Sequence, residues 1–143
     1  MFAKQVSIFV ENKKGSIANV ISVLGKNDIN IRALSVADTA DYGILRLIVN
    51  NPEKAHDILK TEGYVSKLTN VLAFAVEDKP NGLGCVLDIL GQNNIEITYI
   101  YSFVGHYKDQ AIGVIKTTNL EETKIILEKN NVKTLKYDEI YKD

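Results

Sequence analysis

Cysteine is scarce in this chain. Cys85 stands alone, so neither an internal disulfide nor a multi-cysteine metal site can form, and it reads as a small buried hydrophobe on a helix. An excess of charge is missing too. The 17 basic side chains face 18 acidic ones, and a net charge of −1 supplies no general attraction for a phosphate backbone or an anionic lipid surface. Neither nucleic acid nor membrane is expected as a partner. No apolar run approaches the length of a bilayer. The opening MFAKQVSIFVE lacks the basic segment, apolar core and small-residue cleavage site of a secretory leader, so a cytoplasmic location is expected. Arginine is limited to Arg32 and Arg46, neither in a loop that could cradle a phosphate. There is no H-E-x-x-H, no Walker-type glycine-lysine loop and no nucleophile with a convincing base. Catalysis, a metal and a cofactor are therefore not expected, and His56 and His106 read as solvated surface side chains.

What the chain does contain is a repeat. Sliding it by 66 positions lays VEDKPNGLGCVLDILGQNNIEI (76–97) on VENKKGSIANVISVLGKNDINI (10–31) without a gap. Glu11/Glu77, Lys13/Lys79, Val20/Val86, Leu24/Leu90, Gly25/Gly91 and Asn27/Asn93 are among the identities. A repeat of this period carrying strand, loop, helix and strand points to two small domains of one design, residues 1–69 and 70–143. At 45% hydrophobic and 24% charged residues, the composition is that of a folded chain, not a disordered one.

Val6, Ile8 and Val10 alternate with Ser7 and Phe9 as in a half-buried strand. After the loop 11–15 the period changes to that of a helix, with Ile17, Val20, Ile21 and Leu24 on one stripe and Gly15 or Ser16 near the N-cap. Ile29 to Val36 is a second strand whose apolar phase slips near Leu34, the sign of a bulge. The turn Asp38–Gly43 leads to a third strand, Ile44–Val49. Asn51 caps a second helix with Pro52 at its first position and Gly63 beyond its end. Tyr64–Thr69 is the fourth strand, and Val71–Val76 begins the second copy after Asn70 alone. That copy repeats the helical stripe as Leu83, Val86, Leu87 and Leu90, then runs through strand Ile95–Val104, the turn Gly105-His106-Tyr107-Lys108-Asp109 and strand Ala111–Thr117. A helix with Asn119 and Glu122 as a capping pair and a last strand Val132–Tyr141 complete it.

Each half thus reads β-α-β-β-α-β, an α+β class of ferredoxin-like units with antiparallel sheets in order 4-1-3-2 and helices on one face. Joining the two edge to edge as an eight-stranded sheet would hide exposed strand edges. Tyr99, Tyr101 and Phe103 are read as a packed seam between domains or in a dimer, because a near-neutral edge strand is a poor platform for nucleic acid bases.

The distinctive chemistry lies in the loop between the first strand and first helix of each copy. Unpaired amides and a positive helix dipole suit a carboxylate there, and Gly15-Ser16 and Asn81-Gly82 let a ligand approach the main chain. Asn12 and Asp78, at equivalent positions, could accept from an ammonium group. Together these features would suit a free α-amino acid. The alternative is that Asn12 and Asp78 organise the turn and the glycines merely permit it.

The strand-loop-helix-strand text, in both copies, resembles the ACT domain, a small regulatory module, and its tandem stand-alone form matches best. INIRALSVADT is also similar to the regulatory small subunit of acetohydroxyacid synthase. The resemblance implies amino-acid binding at an interface between paired ACT domains. Carried over by position, it nominates Asn12, Lys14, Gly15, Ser16 and Ile17 in the first copy and Asp78, Asn81, Gly82 and Leu83 in the second. Lys14 stands where the usual form has proline, and Asn81 where it has glycine. The expected partners are a free amino acid and a second copy of the chain, or alternatively a biosynthetic enzyme for which the pair serves as an interaction subunit.

Overall fold

The computed structural model describes residues 2–38, 41–104 and 109–141. The central residues of both hairpin turns, Thr39-Ala40 and Gly105-His106-Tyr107-Lys108, lie outside them. In order the elements are β1 (Ala3–Glu11), α1 (Ser16–Lys26), β2 (Ile31–Asp38), β3 (Tyr42–Val49), α2 (Pro52–Thr61), β4 (Val65–Glu77), α3 (Gly82–Gln92), β5 (Ile97–Ser102), β6 (Gln110–Thr117), α4 (Leu120–Lys129), β7 (Lys133–Leu135) and α5 (Tyr137–Tyr141). The chain divides into two compact units, Lys4–Thr69 and Asn70–Ile140, and Phe2 packs into the core of the latter.

In the first unit the strand order is β2-β3-β1-β4, with β1–β3 and β2–β3 antiparallel. In the second, β4 and β6 are antiparallel neighbours, β5 lies beyond β6, and β7 pairs with the free side of β4. Both orders are the expected 4-1-3-2. The alternation read in the first strand sends Val6, Ile8 and Val10 into a core with Val20, Leu24, Leu45, Leu47, Ala55 and Leu59. Leu72, Phe74, Val86, Leu90, Ile115 and Leu127 form its counterpart. The bulge expected near Leu34 falls slightly earlier, as a register shift between Ile31 and Ala33, and it recurs between Ile97 and Tyr99. Tyr99 and Tyr101 stack with ring centroids 6.3 Å apart.

The repeat extends to individual hydrogen bonds. The Asn27 and Asn93 side-chain amides each donate to a carbonyl four residues back, Val23 and Ile89, at 2.8 Å. Asp28 and Asn94 follow with φ of 60° and 58°. Asn51 and Asn119 each cap a helix, their Oδ1 atoms accepting from the Lys54 and Glu122 amides at 3.1 and 3.0 Å. These caps hold the orphan amides of α2 and α4. Asn51→Ala or Asn119→Ala is expected to cost about 1 kcal/mol in urea denaturation, whereas Asn→Gly at either position should cost only a few tenths.

Five expectations need correction. Tyr64–Thr69 and Val71–Val76 are one continuous strand, Val65–Glu77, so eight strands become seven among the described residues. Asn70 is compatible with extended backbone and no glycine or proline interrupts the run. The last strand is only Lys133–Leu135, because the chain then turns into α5. There the Lys136 amide donates to Glu139 Oε1 at 3.2 Å, a glutamate reaching back as in a capping box, and Ile140 is buried at helical spacing from Tyr137. Cys85 is exposed, because the buried positions of α3 are Val86 and Leu90 and it falls on the other side. The apolar stripes begin later than expected, since Ile17 and Leu83 in the first turns are exposed. Finally, His56 is half-buried, with Nδ1 2.7 Å from Ser66 Oγ on the neighbouring β4.

Candidate functional site

Each loop between first strand and first helix is built by the same backbone bonds. The Lys13 amide donates to Glu11 O (2.9 Å), Ser16 to Lys13 O (3.3 Å) and Asn19 to Gly15 O (2.9 Å). In the second copy, Lys79 donates to Glu77 O (3.0 Å), Gly82 to Lys79 O (3.0 Å) and Cys85 to Asn81 O (3.1 Å). Both N-cap residues are left-handed, Gly15 at φ 85° and Asn81 at φ 66°, and among the described residues no side chain caps either helix. Gly15 has no side chain to cap α1, so an acceptor for the remaining first-turn amides there has to come from elsewhere.

An ion pair flanks each loop. Lys13 Nζ lies 3.0 Å from Glu11 Oε2, and Lys79 Nζ lies 2.8 Å from Glu77 Oε2. The hydrogen bond and charge of Lys79 hold the Glu77 carboxyl below its ordinary value, and Glu77 raises Lys79 in return. Stability lent by the depressed carboxylate is present above its unfolded pKa and lost as pH falls through the folded one.

The first unit has a pocket of about 310 Å³ beside this loop, lined by Phe9, Val10, Glu11, Lys13, Ser16, Asn19, Gly63, Tyr64 and Val65. That volume is at the lower end for small-molecule sites. Apolar and aromatic groups from β1 and the start of β4 face polar ones from the loop and α1. The carboxylate and ammonium of Glu11 and Lys13 stand side by side on its wall, a charge pattern complementary to the two ends of a zwitterion.

Of the nominated residues in the first copy, only Ser16 lines this pocket. Asn12 is exposed and its amide donates to Asp41 O at 3.4 Å, which ties the loop to the turn before β3. Lys14, Gly15 and Ile17 are exposed outside the lining. In the second copy Asp78, Asn81 and Leu83 are exposed and Gly82 is half-buried. Glu11 and Lys13, which line the pocket, are not among the nominated residues. The signal was available, because both are identical in the repeat at Glu77 and Lys79.

Among the described residues no group of three or more His, Cys, Asp or Glu side chains could hold a metal ion, and no helix is long and apolar enough to cross a membrane.

Comparison with known proteins agrees with this architecture. The crystal structure of protein BT0572 from Bacteroides thetaiotaomicron superposes with a TM-score of 0.91 at 38% identity, covering 100% of this chain and 98% of that one. The regulatory subunit of aspartate kinase from Thermus thermophilus, in its ligand-free form, shares the fold with a TM-score of 0.66 at 12% identity, over 90% of this chain and 93% of its own. Its counterpart from Thermus flavus gives 0.61 at 11% identity, over 90% and 92%. No curated protein is similar enough in sequence to count as a match. Residues 1–142 match the family described as the ACT domain pair, and the chain belongs to that family.

Proposed function

We propose that this chain is a non-catalytic regulatory protein that binds a free α-amino acid at the strand-to-helix loop of its first copy, residues 1–69 and 70–143 acting as its two ACT units. One observation carries the reading: the pocket beside α1 sets the Glu11–Lys13 ion pair and Ser16 against Phe9, Tyr64 and Val65. A ligand carboxylate would meet Lys13, the Ser16 hydroxyl and the first-turn amides, its ammonium would meet Glu11, and its side chain would rest on the apolar wall. The fold shared with regulatory subunits of aspartate kinase is in keeping with a sensor role. Occupancy would be passed to a second copy of the chain, or to a biosynthetic enzyme, through a difference in ligand affinity between two arrangements.

Thermal unfolding of the full chain with each common amino acid in turn tests this. A ligand at a hundred times its dissociation constant adds about 2.7 kcal/mol, and the midpoint should rise by about 5–10 °C. The double variant Glu11→Gln/Lys13→Gln, which removes both charges from an exposed surface, should keep the unliganded midpoint within a few degrees and lose the response. A flat profile across all amino acids, or an undiminished shift in the double variant, defeats the reading.

A further inference from the structure

We propose that the two copies of the loop have diverged into an open one and a self-closed one, the Asn81 carboxamide acting as a built-in stopper over the first turn of α3. The proposal deepens the reading above and rests on it for the identity of the first loop's ligand; the closure itself does not. At the position of Gly15 the second copy carries Asn81 in the same left-handed conformation, so a side chain leaves the loop where the first copy has only hydrogen. Its Oδ1 occupies the space that a Cβ on Gly84 would take, and its Nδ2 lies 3.7 Å from Cys85 Sγ.

The residue equivalent to Gly84 in the first copy is Ala18, whose methyl group would deny that seat to an asparagine at position 15. Gly15 with Ala18 and Asn81 with Gly84 are therefore matched pairs. A Cβ on Gly15 would meet nothing within 4 Å, so the space beside position 15 in the first loop is open, whereas the Asn81 side chain extends from that position in the second.

A second contact points the same way. Gly82 replaces Ser16, and a Cβ at Gly82 would strike the Glu77 carbonyl oxygen. The second loop leaves no room for a side chain at the position where the first carries Ser16 in its pocket lining. The other lining positions have lost their character too, since Tyr64, Val65 and Asn19 become Val132, Lys133 and Cys85. A carboxylate arriving at α3 would have to expel the Asn81 side chain and would find fewer groups to receive it. One ligand per chain follows.

The test uses the full ¹⁵N-labelled chain, titrated with sodium acetate as the simplest carboxylate and then singly with the common amino acids. Acetate should shift backbone amides of 13–19 and leave those of 79–85 unmoved, with a nuclear Overhauser effect joining the Asn81 side-chain amide to Gly84 Hα. N81G/G84A gives the second loop the residue pair of the first and should make its amides respond at least tenfold more strongly. G15N/A18G should weaken the first loop's response at least tenfold. Equal responses from both loops of the unaltered chain, an Asn81 amide without contact to Gly84, or failure of N81G/G84A to open the second loop would each overturn the proposal. An acetate response confined to the first loop, with no amino acid bound by the chain, would overturn the amino-acid reading and uphold the closure.

Discussion

Phe74→Ala is expected to lower the unfolding free energy by about 3–5 kcal/mol, because it removes a fully buried aromatic ring from the middle of a core that has little else to spare. Phe74 lies on β4 and packs among Leu72, Val86, Leu90, Ile115 and Leu127. Its unit has about 70 residues, a size at which a core supplies few kcal/mol beyond the entropy of ordering the chain. The cost therefore amounts to a large share of that unit's stability. Urea denaturation followed by far-ultraviolet circular dichroism measures it. A loss under about 1 kcal/mol would mean that the ring is not the centrepiece of the second core.

Gly113→Ala is the companion prediction, acting on the same contact from the opposite side. Gly113 on β6 lies directly across from Phe74 in the β4–β6 register, and a Cβ at Gly113 would run into the Phe74 ring. The ring is held by the core, so it cannot swing away as a surface side chain would. Overpacking of this kind costs about 1–3 kcal/mol. The penalty depends on the ring, which makes the two positions non-additive. In a Phe74→Leu background the added methyl finds room, and a double-mutant cycle should return a coupling of about 0.5–3 kcal/mol. Additive losses would show that the glycine serves another purpose.

These residues also mark the limit of what could be read beforehand. That Phe74 lies on a strand was legible, as part of the apolar run Val71–Val76. That Gly113 must lack a side chain was not, because the reason lies in a partner 39 positions away that only the strand register brings opposite it. Helix caps behaved differently. Asn51 and Asn119 bond amides three residues ahead, an interaction local enough to be written in the sequence, and both were anticipated. The last strand shows local signals in conflict. Val132–Tyr141 carries strand-like residues, yet Glu139 reaching back to the Lys136 amide starts a helix after Leu135. His56 shows a similar limit, since nothing local places Ser66 against its ring.

The site followed the same division. Duplicated loops with small residues at a helix start were plain in the text, and Ser16 does face the pocket. The choice among its neighbours was not plain. Asn12 was nominated by chemical type and Lys14 by position in the family resemblance, whereas the pocket is lined by Glu11 and Lys13. Successive residues in a tight loop point to different sides, and Glu11, Lys13 and Ser16 line the pocket while Asn12, Lys14 and Gly15 do not.

By itself the sequence determined the family, the two β-α-β-β-α-β units, their strand order and most of their core, because periodicity, caps and the 66-residue repeat are encoded between near neighbours along the chain. Tertiary structure alone decided that Glu11 and Lys13 share a wall with Tyr64 and Val65, that Asn81 rests over Gly84, and that Gly113 faces Phe74. Those facts depend on distances across space, which no local pattern of residues records.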